Sequence, residues 1–246
     1  MKIEILGVKI DQVDFATTLN LFKEWVRGEQ QKFVATVNPE FLVEAQSNER
    51  FKAVLNSADL ATCDGFGLSL AGRFLRGVEL PRVTGSDLSA ALFENRDSGF
   101  KIFLLGGTAE VIDILNKKFV QGNLAGSSDG GQLNQNYKLE NNEQILEQIR
   151  QSGANILLVA FGQVKQEIWI SENLASLPNI KVAIGVGGTF DFLAGKLKRA
   201  PNWMRKLGLE WLYRLISEPK RFGRIWRATA VFGWLVLKEK LQPIKN

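Results

Sequence analysis

Residues 155–188 read NILLVAFGQVKQEIWISENLASLPNIKVAIGVGG. The stretch opens on one apolar run, NILLVAFG, and closes on another, KVAIGVGG, while residues 166–175 between them carry helical spacing. Strand, helix and strand in so short a span describe a parallel pair joined by a crossover helix. Four further runs have the same β-rich make-up: IEILGVKI (3–10), KFVATVN (32–38), DLATCDG (59–65) and KIFLLGG (101–107). Helical spacing recurs at residues 39–56, 85–95, 109–120 and 143–151. The alternation predicts an α/β fold: a mostly parallel, Rossmann-like sheet with helices on both faces.

In such sheets ligands bind beyond the carboxyl ends of the strands. The polar and small residues at those ends are Thr36, Asn38, Asp64, Gly106, Gly107, Thr108, Gly162, Gln163, Gln166, Gly187, Gly188 and Asp191. GNLAGSSDGGQLNQN (122–136) reads as a polar, glycine-rich loop and a candidate lid.

Composition narrows the chemistry. With 246 residues, 45% apolar and 23% charged, the chain is globular, with room for one large α/β domain and an appendage. A single cysteine, Cys63, excludes an intramolecular disulfide. The absence of histidine removes the usual proton shuttle and leaves a carboxylate as the candidate general base. No signal peptide is expected from MKIEILGVKIDQVDF, and the protein is expected in the cytoplasm.

The formal charge of +5 is unevenly divided. Residues 1–195 hold 18 Lys+Arg against 23 Asp+Glu, net −5, and residues 196–246 hold 13 against 3, net +10. Four of the six tryptophans, Trp203, Trp211, Trp226 and Trp234, also lie in the second segment. The division predicts a catalytic α/β domain over 1–195 and a basic, Trp-rich helical appendage over 196–246. From Pro201 the pattern suggests two consecutive helices broken at Pro219. The longest apolar run, ATAVFGWLVL (228–237), has ten residues, half of the roughly 20 that a membrane span needs. Cations flanking Trp, Phe and Leu fit a helix lying in the membrane interface, and the same spacing fits a helix docked on the core. The aromatic, apolar face favours lipid over duplex nucleic acid, so no nucleic-acid partner is expected.

Five motif blocks carry the candidate site. GVGGTF (185–190) lacks the third glycine of a dinucleotide fingerprint, which weakens a nicotinamide reading; its amides could face a nucleotide at Gly187 and Gly188, with Asp191 accepting from a ribose or base. ATCDGFG (61–67) places Asp64 at a strand end, as proton acceptor or as an Asx-turn. TVNPEF (36–41) offers Thr36 and Asn38, the latter also a natural N-cap. PRVTGSDL (81–88) offers Arg82 as a phosphate clamp or a surface arginine, and Thr84 or Ser86 as helix caps. FGQVKQE (161–167) brings Gln163, Lys165 and Gln166 to a strand end. No Asp-x-Asp, P-loop or metal-ligand cluster occurs, so neither a metal nor a cofactor is expected, and a departing diphosphate would be met by arginines, lysines and backbone dipoles.

These blocks, with GVGGTFDFLAGKLKRAPNWMRKLGLEWLYRL (185–215), resemble the WecG/TagA/CpsF glycosyltransferase family, family 26. The resemblance implies an inverting, metal-independent enzyme. Its donor would be a UDP-sugar, N-acetylmannosamine or a relative, and its acceptor a polyprenyl-diphosphate-linked GlcNAc at the inner face of the cell membrane, in cell-envelope polysaccharide synthesis. By motif, the catalytic base falls on Asp64, and the pocket residues on Thr36, Asn38, Arg82 and Gln166. The appendage would bring Arg214 and Arg221 to the reaction and Arg224 to the substrate. The family pattern has proline where this chain has Val164, which implies a less rigid turn before Gln166. A homo-oligomer formed through the core is also implied. The alternative is a non-catalytic nucleotide-binding module whose tail recruits a partner.

Overall fold

The computed structural model describes residues 1–219 and 222–241, with the backbone alone at positions 202 and 206. In chain order the elements are β1 (Lys2–Ile5), β2 (Val8–Asp11), α1 (Phe15–Trp25), β3 (Lys32–Val37), α2 (Pro39–Glu44), α3 (Glu49–Asn56), β4 (Leu60–Cys63), α4 (Phe66–Arg76), α5 (Gly85–Glu94), β5 (Ile102–Gly106), α6 (Ala109–Phe119) and β6 (Leu124–Ser128). There follow α7 (Asn142–Gln151), β7 (Ile156–Ala160), α8 (Lys165–Asn173), β8 (Val182–Gly185), α9 (Thr189–Leu193), α10 (Asn202–Lys206), α11 (Glu210–Ser217), α12 (Phe222–Trp226) and α13 (Phe232–Leu241).

Six strands form one all-parallel sheet in the order β4-β3-β8-β7-β5-β6, as the α/β reading expects. Alternate residues of each strand enter different cores. Phe103 and Leu105 of β5 meet α2, α3, α4, α7 and α8 on one face, through Leu42, Phe51, Leu68, Leu146 and Trp169. Ile102 and Leu104 meet α1, α5, α6 and α9 on the other, through Phe22, Leu88, Leu115 and Phe190. Burial on both faces is why the strands read as continuous apolar runs. From β3 the chain turns outward to β4, whereas all later strands lie on the opposite side, so a crevice opens at the carboxyl ends of β3, β4 and β8.

Two strand readings are corrected. IEILGVKI is not one strand of the parallel sheet; it folds on itself as the β1–β2 antiparallel hairpin, a separate two-stranded sheet, turning at Leu6 (φ 51°) and Gly7 (φ 77°). Positive φ at both turn positions matches the right-handed twist of a hairpin, and Asp11 Oδ2 accepts the Ala61 N–H at 2.9 Å, which seats the hairpin beside β4. The sixth sheet strand comes instead from the stretch read as a loop: Leu124–Ser128 is β6, an edge strand paired with β5. Its glycine is required by packing, since a Cβ at Gly126 would lie 2.9 Å from the Phe103 ring. The single helix expected over 39–56 is two, because Asn48 caps α3 by accepting from the Phe51 N–H.

Where two helices are expected after Pro201, two short ones, α10 and α11, precede Pro219, and after it α12 passes through a π-turn (Arg227–Val231) into α13. Phe232 and Val236 of α13 are buried in the core shared with α2 and α4. Arg224 grips both oxygens of Glu40 at 2.9–3.1 Å, Arg227 pairs with Glu44 at 2.7 Å, and Arg76 pairs with Glu239. No helix among the described residues is long and apolar enough to cross a membrane.

Candidate functional site

Asp64 stands one residue past β4. Its N–H extends the ladder to Val37 O at 2.7 Å, and its Oδ2 faces the Gly85 N–H at 3.4 Å, at the start of α5. Gly65 makes the turn at φ 128°, where any side chain would be strained, and its Cβ position lies a tight 3.2 Å from Pro39 Cδ. The carboxyl lies on a cavity of about 820 Å³. Burial pushes it up to about 6, with Glu210 adding to the rise while the Gly85 amide, Arg214 and Arg82 oppose it. The neighbouring Cys63 thiol is pushed up to about 12, chiefly by burial, and holds its proton at neutral pH.

The cavity is walled by the ends of β3 and β4 and roofed by the C-terminal helices. Asn38 lines it while capping α2, accepting from the Phe41 N–H at 3.0 Å. Arg82 runs parallel to Cys63 in a β-bridge, its Nη1 donates to Arg205 O at 2.7 Å and its Nη2 lies 3.8 Å from Glu210. Arg214 lies 3.6 Å from Glu210 and its guanidinium carbon 4.9 Å from the Phe192 ring centroid. Arg224 lines the cavity held by Glu40. Thr84 rather than Ser86 caps α5, accepting from the Asp87 N–H. Although burial works to raise Asp87, its bonds to Arg199 and Thr84 hold it below the usual carboxylate value, and the Arg199 pair at 2.6 Å anchors the chain entering the roof.

Thus Asn38, Asp64, Arg82, Arg214 and Arg224 come together around one cavity. Gln166, Thr36, Gly187, Gly188 and Asp191 do not line it; they continue the strand-end row toward β8 and β7. Thr36 is buried and its hydroxyl donates to Gly185 O at 3.0 Å. Gly85 joins the two groups: its amide faces Asp64, while its Cβ position lies 3.3 Å from Thr36 Oγ1 and 3.5 Å from Val186 Cα. Gln166 is buried, accepts the Gly187 N–H at 3.0 Å and donates to Glu167 at 2.6 Å. Asp191 sits in the first turn of α9, after Gly188. Arg221 lies outside the described residues.

Two acids were not singled out by sequence. Glu167 is fully buried, accepts from Gln166 and from the Val164 N–H at 2.9 Å, and is pushed up to about 7 by desolvation. Val164 has φ 72°, which proline's ring forbids, and uses an N–H that proline lacks. This turn therefore differs from the proline pattern of the resemblance. Glu210 stands between Arg82 and Arg214; its signal was available, since it is one of only three acids in the +10 segment.

A parallel sheet with a desolvated carboxylate at its strand tips, and cations brought over it by a following helical segment, has the form of a group-transfer enzyme. The chain belongs to the glycosyl transferase WecG/TagA/CpsF family, whose model matches residues 3–246. It is a glycosyltransferase, as the motif blocks led us to expect. It is 33% identical to the N-acetylglucosaminyldiphosphoundecaprenol N-acetyl-beta-D-mannosaminyltransferase of Bacillus spizizenii, over 88% of this chain and 85% of that protein.

Proposed function

We infer that the protein moves an N-acetylmannosamine-type sugar from a UDP-sugar to a polyprenyl-diphosphate-linked GlcNAc, with inversion and without a metal ion, in cell-envelope polysaccharide synthesis. The observation that carries this reading is the Asp64 carboxyl, raised to about 6 beneath Arg82 and Arg214 in one cavity. At neutral pH it is ionised yet more basic than an ordinary carboxylate. Asp64 takes the proton of an acceptor hydroxyl; that oxygen bonds to the anomeric carbon, and the bond to the UDP oxygen breaks, its electron pair leaving with the diphosphate. General-base help of this kind contributes about 10²–10⁴ in rate, and fixed cations at the leaving group a comparable amount. Arg214 and Arg82 supply that charge, with Arg221 and Arg224 in the same segment. Gln166, Gly187, Gly188 and Asp191 would receive the nucleotide along the strand ends, and Thr36 would hold β3 and β8 in register beneath it.

Residues 1–195 act as the catalytic unit and 196–246 as the membrane-directed appendage. Exposed Trp203, Trp211, Trp226 and Trp234, with net charge +10 in that segment, support attachment to the inner face of an anionic membrane. A panel of UDP-sugars assayed with GlcNAc-diphosphate-polyprenol, with and without EDTA, tests the reading. Transfer from UDP-N-acetylmannosamine that survives EDTA is expected; no transfer from any UDP-sugar would refute it.

A further inference from the structure

An apolar strip leads away from the catalytic end of the cavity. Phe66, Leu70 and Phe74 recur every four residues on α4 and so share one face; they are 39%, 51% and 48% exposed. From Phe66, two residues past Asp64, to Phe74 the face extends about 12 Å at the rise of an α-helix. Leu237 of α13, 55% exposed, and the buried Val236 line the same cavity. At Phe66 the roof is close, since a Cβ on Gly208 would run into the Phe66 ring. Farther out, Gly233 of α13 also lines the cavity, and nothing lies within 4 Å of the place its Cβ would take. The trough between α4 and α13 is thus open where the roof has no side chain to close it.

A cationic, partly desolvated end joined to an open apolar trough is complementary to an amphiphile whose diphosphate and hydrocarbon are covalently linked. We propose that the α4–α13 trough holds the first isoprenoid units of the acceptor, with the acceptor's diphosphate turned toward Arg224, which lines the same cavity. This rests on the acceptor class inferred above and adds to it a chain-binding subsite within the protein. The acyl chains of the bilayer share the apolar chemistry, but the continuity of the trough with the arginines favours the chain that carries the diphosphate.

Gly233→Leu fills the trough and replaces glycine with a better helix former, so folding is preserved. Gly223→Leu on α12, where a Cβ also meets nothing within 4 Å, is the control. KM is measured for GlcNAc-diphosphate on a long polyprenyl chain and on a short water-soluble alkyl group, alongside sedimentation with acceptor-free phosphatidylglycerol/phosphatidylcholine vesicles. Gly233→Leu is expected to raise the long-to-short ratio of KM values about 10-fold, the scale on which an apolar pocket discriminates, with vesicle binding maintained and the ratio unmoved in Gly223→Leu. An unchanged ratio in Gly233→Leu, or a change matched by weaker binding to acceptor-free vesicles, overturns the chain subsite while leaving the transferase reading in place. If the parent protein transfers sugar to neither acceptor, the acceptor reading falls and the subsite with it.

Discussion

Asp64 and Glu167 are carboxyls that the fold holds against their ordinary ionisation, at about 6 and about 7, with desolvation the leading cause in both. Each keeps in the native state a proton that the unfolded chain has already released, so stability falls as pH rises from about 4 toward 7. For Asp64 the cost above pH 6 is on the order of 2–3 kcal/mol. Asp64→Asn should therefore melt about 5 °C higher than the parent at pH 8, with the gap closing toward pH 4; a lower melting temperature at pH 8 would contradict the desolvation account. Such strain at a strand tip is what a site that needs a base leaves in place. The place of Asp64 at a strand tip was legible in sequence because an acid followed by Gly-x-Gly closes an apolar run, although the same pattern fits an Asx-turn equally well. Glu167 was not, because its importance comes from burial beneath the β8 turn, and no local pattern distinguishes a buried glutamate on a helix from an exposed one.

The decisive element is the C-terminal helical run from α12 through the π-turn to α13. Its ion pairs with Glu40 and Glu44 leave Arg224 and Arg227 half exposed, and such pairs contribute about 0–1 kcal/mol each. Phe232 is 5% exposed and enters the core, where truncation to alanine costs about 3–5 kcal/mol. Hydrogen exchange should thus show α13 opening far more readily in Phe232→Ala than in Arg227→Ala, with both folded elsewhere; equal protection in the two would place the docking energy in the charges instead. The parallel sheet was legible because buried strands are continuous apolar runs, and five of its six strands appear in sequence as such. β6 was hidden by its Gly and Ser content: an edge strand held by main-chain bonds to β5 and by the fit of Gly126 over Phe103 needs no β-branched residues. The β1–β2 hairpin was hidden for the opposite reason, since its eight apolar-rich residues look like one strand until Leu6 and Gly7 turn.

Across the whole molecule, on the proposed reading, the sheet domain supplies the carboxylate, Arg82, the amides offered to the nucleotide and the α4 wall of the trough, and the following segment supplies Arg214, Arg224 and the α13 wall. Glu210 draws the parts together, lying 3.8 Å from Arg82 of the sheet edge and 3.6 Å from Arg214 of the roof. On this reading the sheet alone would hold the base and Arg82 but lack Arg214, and the following segment alone would have no base. Groups that act on one transition state are non-additive when removed together. The most direct test is the turnover of Asp64→Asn, Arg214→Ala and the double variant with UDP-N-acetylmannosamine and lipid-linked GlcNAc. Each single change is predicted to lower kcat by about 10² or more, with the double variant close to the worse single. Near-normal turnover in either single variant, or losses that simply multiply, would show that the carboxylate and the arginine do not work on the same sugar diphosphate.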